Sequence, residues 1–493
     1  MVNVMQTARW LLSLLLAMPL LAQDSKTRLP NVVFVLADDL GYGEPGCFGQ
    51  QKIKTPNIDR LAAQGMRLTR HYSGSPVCAP SRCVLMTGLH PGHAPIRDNK
   101  EAPGPEGQMP LAAGLITISS VLHDAGYATG IFGKWGLGNP RTTGDPQQRG
   151  FDHIFGYYCQ RHAHNHYPAY LYADSDRVPL NEKPAISTGR LGADEDRNDP
   201  RSYARFRGEH FAPDRIVDEA IAFVRAHREQ PFFCFLPSTL PHLALQAPAA
   251  AVAAYEGAFA ETPYDGHNGY TPTSMPRATY AAMIATLDQH LGRVLAVLDE
   301  LQLAEHTIVV FTSDNGATHS PVGGTDVDFF DSCGGLRGRK GSLYEGGIRV
   351  PTIVRWQGHV AAGSTSNRIT GFEDWLPTLA EACGITAHDQ VDGISFTPTL
   401  LGKQQTERPF LYREFAGYGG WQAVWSGAHK LVRASLLKDP GAPELYHLDD
   451  DPKEERDLAK APASSITLQR LQAIALSEHT GCAAFAMPAL DGK

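Results

Sequence analysis

The stretch from Asn31 to Asp39 constrains this chain most, because Val32, Val33, Phe34, Val35 and Leu36 follow one another without a polar break and two carboxylates close the run. A strand that is apolar at every position has both faces buried, as in a parallel sheet covered by helices on both sides. The following segments keep that rhythm. Thr55 and Pro56 predict the start of a helix carrying Ile58, Leu61, Ala62 and Met66, and Thr117 predicts another through Val121 and Leu122 to Gly126. A strand over 128–135 comes next, then a helix near 214–227, a strand over 232–236, a long helix near 277–301 and a strand over 307–312. The alternation predicts an α/β fold, with a mostly parallel sheet sandwiched by helices.

The character changes near Gly402. Segments 410–415, 422–432 and 444–448 read as short antiparallel strands, with a closing helix around 466–476. The 493 residues are therefore expected to form a large N-terminal domain over 23–400 and a smaller C-terminal α+β subdomain over 401–493. Residues 141–214, rich in Gly, Pro, Tyr, His and Arg, read as a long insertion whose loops shape a substrate pocket. Its tyrosines 157, 158, 167, 170 and 172 either stack on sugar rings or pack the loop itself.

At the N-terminus, Arg9 precedes an apolar run from Trp10 to Leu21, and Ala22 precedes polar residues. This is the pattern of a secretory signal peptide over 1–22, the run being shorter than the ~20 residues that span a bilayer. A secreted or periplasmic protein without a stable membrane anchor is expected, in a compartment that permits disulfides. The eight cysteines show no CxxC spacing and write no zinc site. A net charge of −8 argues against a nucleic-acid partner and leaves open a local basic pocket for an anionic substrate.

In sheets of this kind ligands gather beyond the carboxyl ends of the strands. Asp38-Asp39 and Asp314-Asn315 both stand there, on separate strands. Adjacent carboxylates repel one another, so the clustering calls for a positive partner, and an all-oxygen set suits a hard cation, calcium or magnesium. Either pair alone would also serve as a helix cap or turn. Cys78 precedes a helix start, with Pro80 and Ser81 in the first turn and Arg82 behind them, an arrangement expected to lower a thiol pKa.

The segment Cys78-x-Pro80-Ser81-Arg82, continuing to Leu85, Thr87 and Gly88, resembles the signature of the type I sulfatases, of the arylsulfatase family and the alkaline phosphatase-like superfamily. Four further motifs match in order: Asp38-Asp39-Leu40-Gly41-Tyr42-Gly43; Gly133-Lys134-Trp135; Thr312 to Gly316; and Lys340-Gly341 with Tyr344 to Pro351. The resemblance covers the chain from about Asn31 to the Asp451-Pro452 region. It implies that a formylglycine-generating maturation enzyme oxidises Cys78 to 3-oxoalanine (formylglycine). It implies also that Asp38, Asp39, Asp314, Asn315 and modified Cys78 bind a divalent cation, Ca2+ or alternatively Mg2+. The aldehyde hydrate attacks the sulfur of a sulfate ester, Arg82, Lys134 and Lys340 neutralise its oxygens, and His242 protonates the departing alcohol.

One departure stands out. Many relatives carry a histidine two residues after the lysine, where this chain has Gly136. The run Gln160 to His166 contains three histidines that would share a face if extended. His164 is the expected replacement base; a transition-metal chelate or a polar substrate-facing loop are the competing readings. The implied function is hydrolysis of O-sulfate esters of sulfated carbohydrates. The rivals are a phosphodiesterase or phosphonate monoester hydrolase of the same superfamily, and a sugar-binding pseudosulfatase.

Overall fold

The computed structural model describes residues 29–492 except positions 105, 187, 387 and 439, so the expected signal peptide lies outside the described residues. Its centre is a ten-stranded sheet in the order β11 (Ser364–Ser366), β2 (Met66–Leu68), β10 (Thr352–Arg355), β9 (Thr307–Ser313), β1 (Asn31–Ala37), β8 (Phe232–Pro237), β4 (Ala128–Lys134), β5 (His153–Tyr157), β6 (Tyr170–Ala173) and β7 (Asp176–Pro179). A separate pair joins β3 (His71–Tyr72) to β12 (Thr370–Gly371). The five central strands β9, β1, β8, β4 and β5 are parallel. Pairing turns antiparallel on both flanks, at β10 and at β6–β7.

Strand β1 is buried at every position, as its composition predicts. Side chains alternate across a strand. Val33, Val35 and Ala37 join one core with Ile58 and Leu61 of α1 (Pro56–Gln64), Ile216 and Val217 of the helix Ala212–Ala226, and Leu287 and Leu291 of the helix Pro276–Glu300. Val32, Phe34 and Leu36 join the other, with Val84 and Leu85 of α2 (Cys78–Thr87) and Val121 and Leu122 of α3 (Ile118–Asp124). Thr117 caps α3 as expected, accepting from the backbone N–H of Ser120, whose hydroxyl oxygen accepts in return from the N–H of Thr117.

Residues 141–214 hold strands as well as loops, since β5, β6 and β7 lie within them and extend the sheet. One expectation is corrected. The segment 422–432 is not one strand but a hairpin, β14 (Trp421–Ser426) and β15 (His429–Ala434), turning at Gly427 with φ 56°. An apolar run hides such a turn unless the glycine is weighed. These strands lie between β13 (Leu411–Phe415) and β16 (Glu444–His447) in a four-stranded antiparallel sheet. Leu471 and Ala475 of the helix Ser465–Ser477 pack on it against Tyr412, Val424, Leu431 and Leu445.

Candidate active site

Parallel strands end at the same edge, and this brings distant residues together. Leu36 of β1 lies level with Thr312 of β9 and with Pro237 of β8. Asp38-Asp39 and Asp314-Asn315 therefore emerge side by side: the Asp39 N–H donates to Asp314 Oδ1 at 3.1 Å, and Asn315 Nδ2 donates to Asp39 Oδ1 at 2.8 Å. Lys134, the last residue of β4, donates to Asp38 Oδ2 at 2.7 Å. The loop after β8 delivers His242, with Nε2 3.5 Å from Asp39 Oδ2. Lys340 reaches Asp39 Oδ2 at 2.7 Å and Cys78 Sγ at 3.6 Å.

Cys78 is the first residue of α2, and its Sγ lies 3.5 Å from Asp38 Oδ1. One turn on, Arg82 donates from Nε and Nη2 to Asp314 Oδ2 at 3.1 and 2.8 Å, and from Nη1 to the Lys134 carbonyl at 2.5 Å. The expected residues Cys78, Arg82, Lys134, His242, Lys340, Asp38, Asp39, Asp314 and Asn315 thus form one buried cluster. Its electrostatics are tense. Burial opposes ionisation of Asp38, but Lys134, His242, Arg82 and Lys340 hold its carboxyl well below the ordinary range. Burial and the Asp38 charge push Asp314 up to about 6.

The expectation of a lowered thiol pKa at Cys78 is corrected. Burial pushes the thiol up to about 12 despite Lys134 and Lys340. An unmodified Cys78 is a neutral thiol at pH 7 and a poor nucleophile. None of the eight cysteines forms a disulfide.

The cluster also fits a hard cation. Donor atoms of Asp38, Asp39, Cys78 and His242 lie within 4.8 Å of one another. Asn315 Oδ1 is buried without any hydrogen-bond partner, which is costly for an amide oxygen unless something else coordinates it. Aspartate and amide oxygens are the donors that calcium and magnesium take.

The histidine run does not form a face. Residues His162–His164 make a 3-10 turn. His162 turns to Tyr170, with ring centroids 4.6 Å apart. His166 lies behind the site, its ring nitrogens 3.1 Å from Thr239 Oγ1 and 3.0 Å from the His242 carbonyl. Only His164 joins His242, the rings stacked at 4.4 Å. Burial, together with the charges of His242, Lys134 and Lys340, keeps His164 well below the ordinary histidine range. The transition-metal chelate reading finds no gathered set here.

Gly136 has φ +81°, and a Cβ there would meet Gln160 Nε2 at 2.8 Å. The glutamine amide thus covers the place where a side chain at 136 would start. A cavity of about 310 Å³ opens over Cys78, His164, His242 and Lys340, and Gln160, Tyr270 and Tyr418 also line it. The tyrosines of the insertion do not line it: Tyr157, Tyr158, Tyr167 and Tyr172 are buried, Tyr157 in β5 and Tyr172 in β6. Tyr418, missed in the sequence, stands in Gly417-Tyr418-Gly419-Gly420, where a lone ring among glycines was the available signal.

The model of the family described as Sulfatase matches residues 30–385. The chain belongs to the sulfatase family. A second model, described as N-sulphoglucosamine sulphohydrolase, C-terminal, matches residues 339–478. Among curated sulfatases, N-acetylgalactosamine-6-sulfatase of Sus scrofa is 28% identical over 97% of this chain and 91% of its own length. Arylsulfatase A of Homo sapiens is 31% identical over 94% of this chain and 89% of its own. The solved structure of Ps i-CgsB in complex with k-i-k-neocarrahexaose superposes with a TM-score of 0.73 at 25% identity, covering 90% of this chain and 91% of that one. This sulfatase is accordingly a sulfuric ester hydrolase with the alkaline phosphatase-like architecture, and its family works with formylglycine and a divalent metal. Among the described residues no helix is long and apolar enough to cross a membrane.

Proposed function

We propose that this sulfatase hydrolyses O-sulfate esters of sulfated carbohydrates, using Cys78 as formylglycine hydrate. The observation that carries the reading is the position of Cys78 at the head of α2, lining the cavity with Sγ 3.5 Å from Asp38 and 3.6 Å from Lys340. The carbohydrate part is supported by the relatives, whose names specify N-acetylgalactosamine 6-sulfate and a neocarrahexaose. A secreted or periplasmic location accords with the N-terminal sequence, and a formylglycine-generating enzyme is the required maturation partner.

In this scheme Asp38, Asp39, Asp314, Asn315 and modified Cys78 would hold the cation, calcium or alternatively magnesium, the hard cations that a carboxylate-rich donor set takes. Bound there, it supplies Lewis-acid polarisation of a sulfate oxygen. The chain's own residues do the rest. Hydrated formylglycine at residue 78 would supply a diol nucleophile toward the sulfate sulfur, and Arg82, Lys134 and Lys340 balance the negative oxygens. His242, stacked on His164, gives a proton to the departing alcohol oxygen. Return of the aldehyde with release of inorganic sulfate would need a base beside the second hydroxyl of residue 78. His164, which stacks on His242 and lines the cavity, is the group we place as that base, since the Gln160 amide beside Gly136 cannot accept a proton.

The alternative of a two-metal phosphatase needs a second ligand set at the site. Among the described residues the other candidate group is His90, His93 and Asp392, none of which lines this cavity. The test is mass spectrometry of the Cys78 peptide from protein co-produced with a maturation enzyme, followed by a sulfate-release screen. Formylglycine lies about 18 Da below cysteine. An unmodified thiol under those conditions would overturn the assignment and favour a sugar-binding pseudosulfatase.

A further inference from the structure

The C-terminal sheet reaches the cavity through one loop. Between β13 and β14 the chain reads Gly417-Tyr418-Gly419-Gly420, and Tyr418 is 63% exposed. It sits at φ 47°, a conformation costly for a bulky residue and the natural place for glycine. A large ring held there among glycines points to a use for the ring. Its position is fixed. The Trp421 indole N–H donates to the Tyr418 carbonyl at 3.2 Å, and the rings of Phe415 and His319 lie 5.7 and 5.5 Å away.

Gly341 explains how the ring comes so near the anion-binding lysine. A Cβ at Gly341 would lie 3.4 Å from Tyr418 Cδ2 and 3.3 Å from His319 Cε1, so the ring rests against the residue next to Lys340. Asn99, Gln108 and Gln160 share the cavity with a second tyrosine, Tyr270, and neither polar atom of the Gln160 amide has a partner. Aromatic faces beside many hydrogen-bonding groups suit a polyhydroxylated ring better than a wholly apolar leaving group, and of the two tyrosines Tyr418 is the more exposed. The volume of about 310 Å³ suits a single ring.

We propose that Tyr418 is the platform on which the sugar ring carrying the sulfate stacks, making it a specificity-determining residue supplied by the C-terminal sheet. This rests on the sulfated-carbohydrate reading above. The test uses matured full-length enzyme and a panel of hexose and N-acetylhexosamine monosulfates, N-acetylgalactosamine 6-sulfate among them, with inorganic sulfate as a competing product that has no ring. On the best substrate of the panel, Tyr418→Ala raises KM about tenfold with kcat within about twofold, the signature of lost ground-state binding. The inhibition constant of inorganic sulfate stays unchanged, and Tyr418→Phe behaves as wild type. An unchanged KM in Tyr418→Ala overturns the proposal, as does an equal rise in KM and in the sulfate inhibition constant. So does Tyr418→Phe matching Tyr418→Ala, because the hydroxyl would then carry the effect. Wild-type enzyme that releases sulfate from aryl esters and from no sugar in the panel overturns the carbohydrate reading itself, and this proposal with it.

Discussion

Arg82 ties the site together, with two nitrogens on Asp314 and a third on the Lys134 carbonyl. Replacing it by methionine leaves buried Asp314 and Asp38 without their guanidinium, and breaking such a pair costs about 3–5 kcal/mol. The expected outcome is a lower denaturant midpoint, partly restored by added calcium; no calcium effect would argue against the cation site. His242→Ala should reduce turnover of sugar sulfates by about 10²–10⁴-fold and spare an aryl sulfate, whose phenolate leaves unaided. Equal losses on the two substrates would remove the proton-donor role. At Gly136 the absent side chain and Gln160 share one space. Gly136→His alone should therefore destabilise the fold, and the added change Gln160→Ala should recover part of the loss, a coupling that a double-mutant cycle in urea measures directly.

At the scale of elements, the site depends on strand ends more than on loops. β1, β9 and β4 each place functional residues at their carboxyl ends, and α2 points its first residue into the same space. The strands and main helices of the catalytic part were legible because β1 is apolar throughout and its neighbours alternate with helical periodicity. The β14–β15 hairpin was not, because Val424, Leu431 and Val432 are buried on both sides of Gly427 and give the appearance of one run. Gly427→Val should expose the turn as real: a left-handed β-branched residue costs about 1–2 kcal/mol, read as a shifted urea midpoint with the slope unchanged.

Across the whole molecule, Glu414 of β13 joins the catalytic part to the C-terminal sheet. It accepts from Arg97 at 2.5 Å and from Tyr412 at 2.5 Å, and His479 Nδ1 lies 2.7 Å away. The hydrogen bond to Glu414 raises the His479 pKa above the ordinary histidine value, and Asp491 adds to the effect. A raised pKa contributes stability fully below the unfolded value of about 6.5 and loses it as pH rises through the folded value. His479→Gln should therefore lower Tm more at about pH 5.5 than at about pH 9; an equal loss at both would mean the ring is neutral throughout.

The layered α/β core and the oxygen-bearing pairs Asp38-Asp39 and Asp314-Asn315 beyond two of its strands were readable from residue order alone, because burial and strand-end position leave local marks in residue type. The signature around Cys78 singled out the residue proposed as nucleophile. Which residues meet was settled by the folded chain. His164 and not His162 or His166 stacks on His242, because a 3-10 turn replaces the extended chain. The Cys78 thiol is raised rather than lowered, because burial outweighs two lysines. Tyr418 reaches the cavity from 78 residues beyond Lys340 (418 − 340) because Gly341 lets its ring approach. Burial and long-range contact depend on the whole fold, and no local window of the chain contains them.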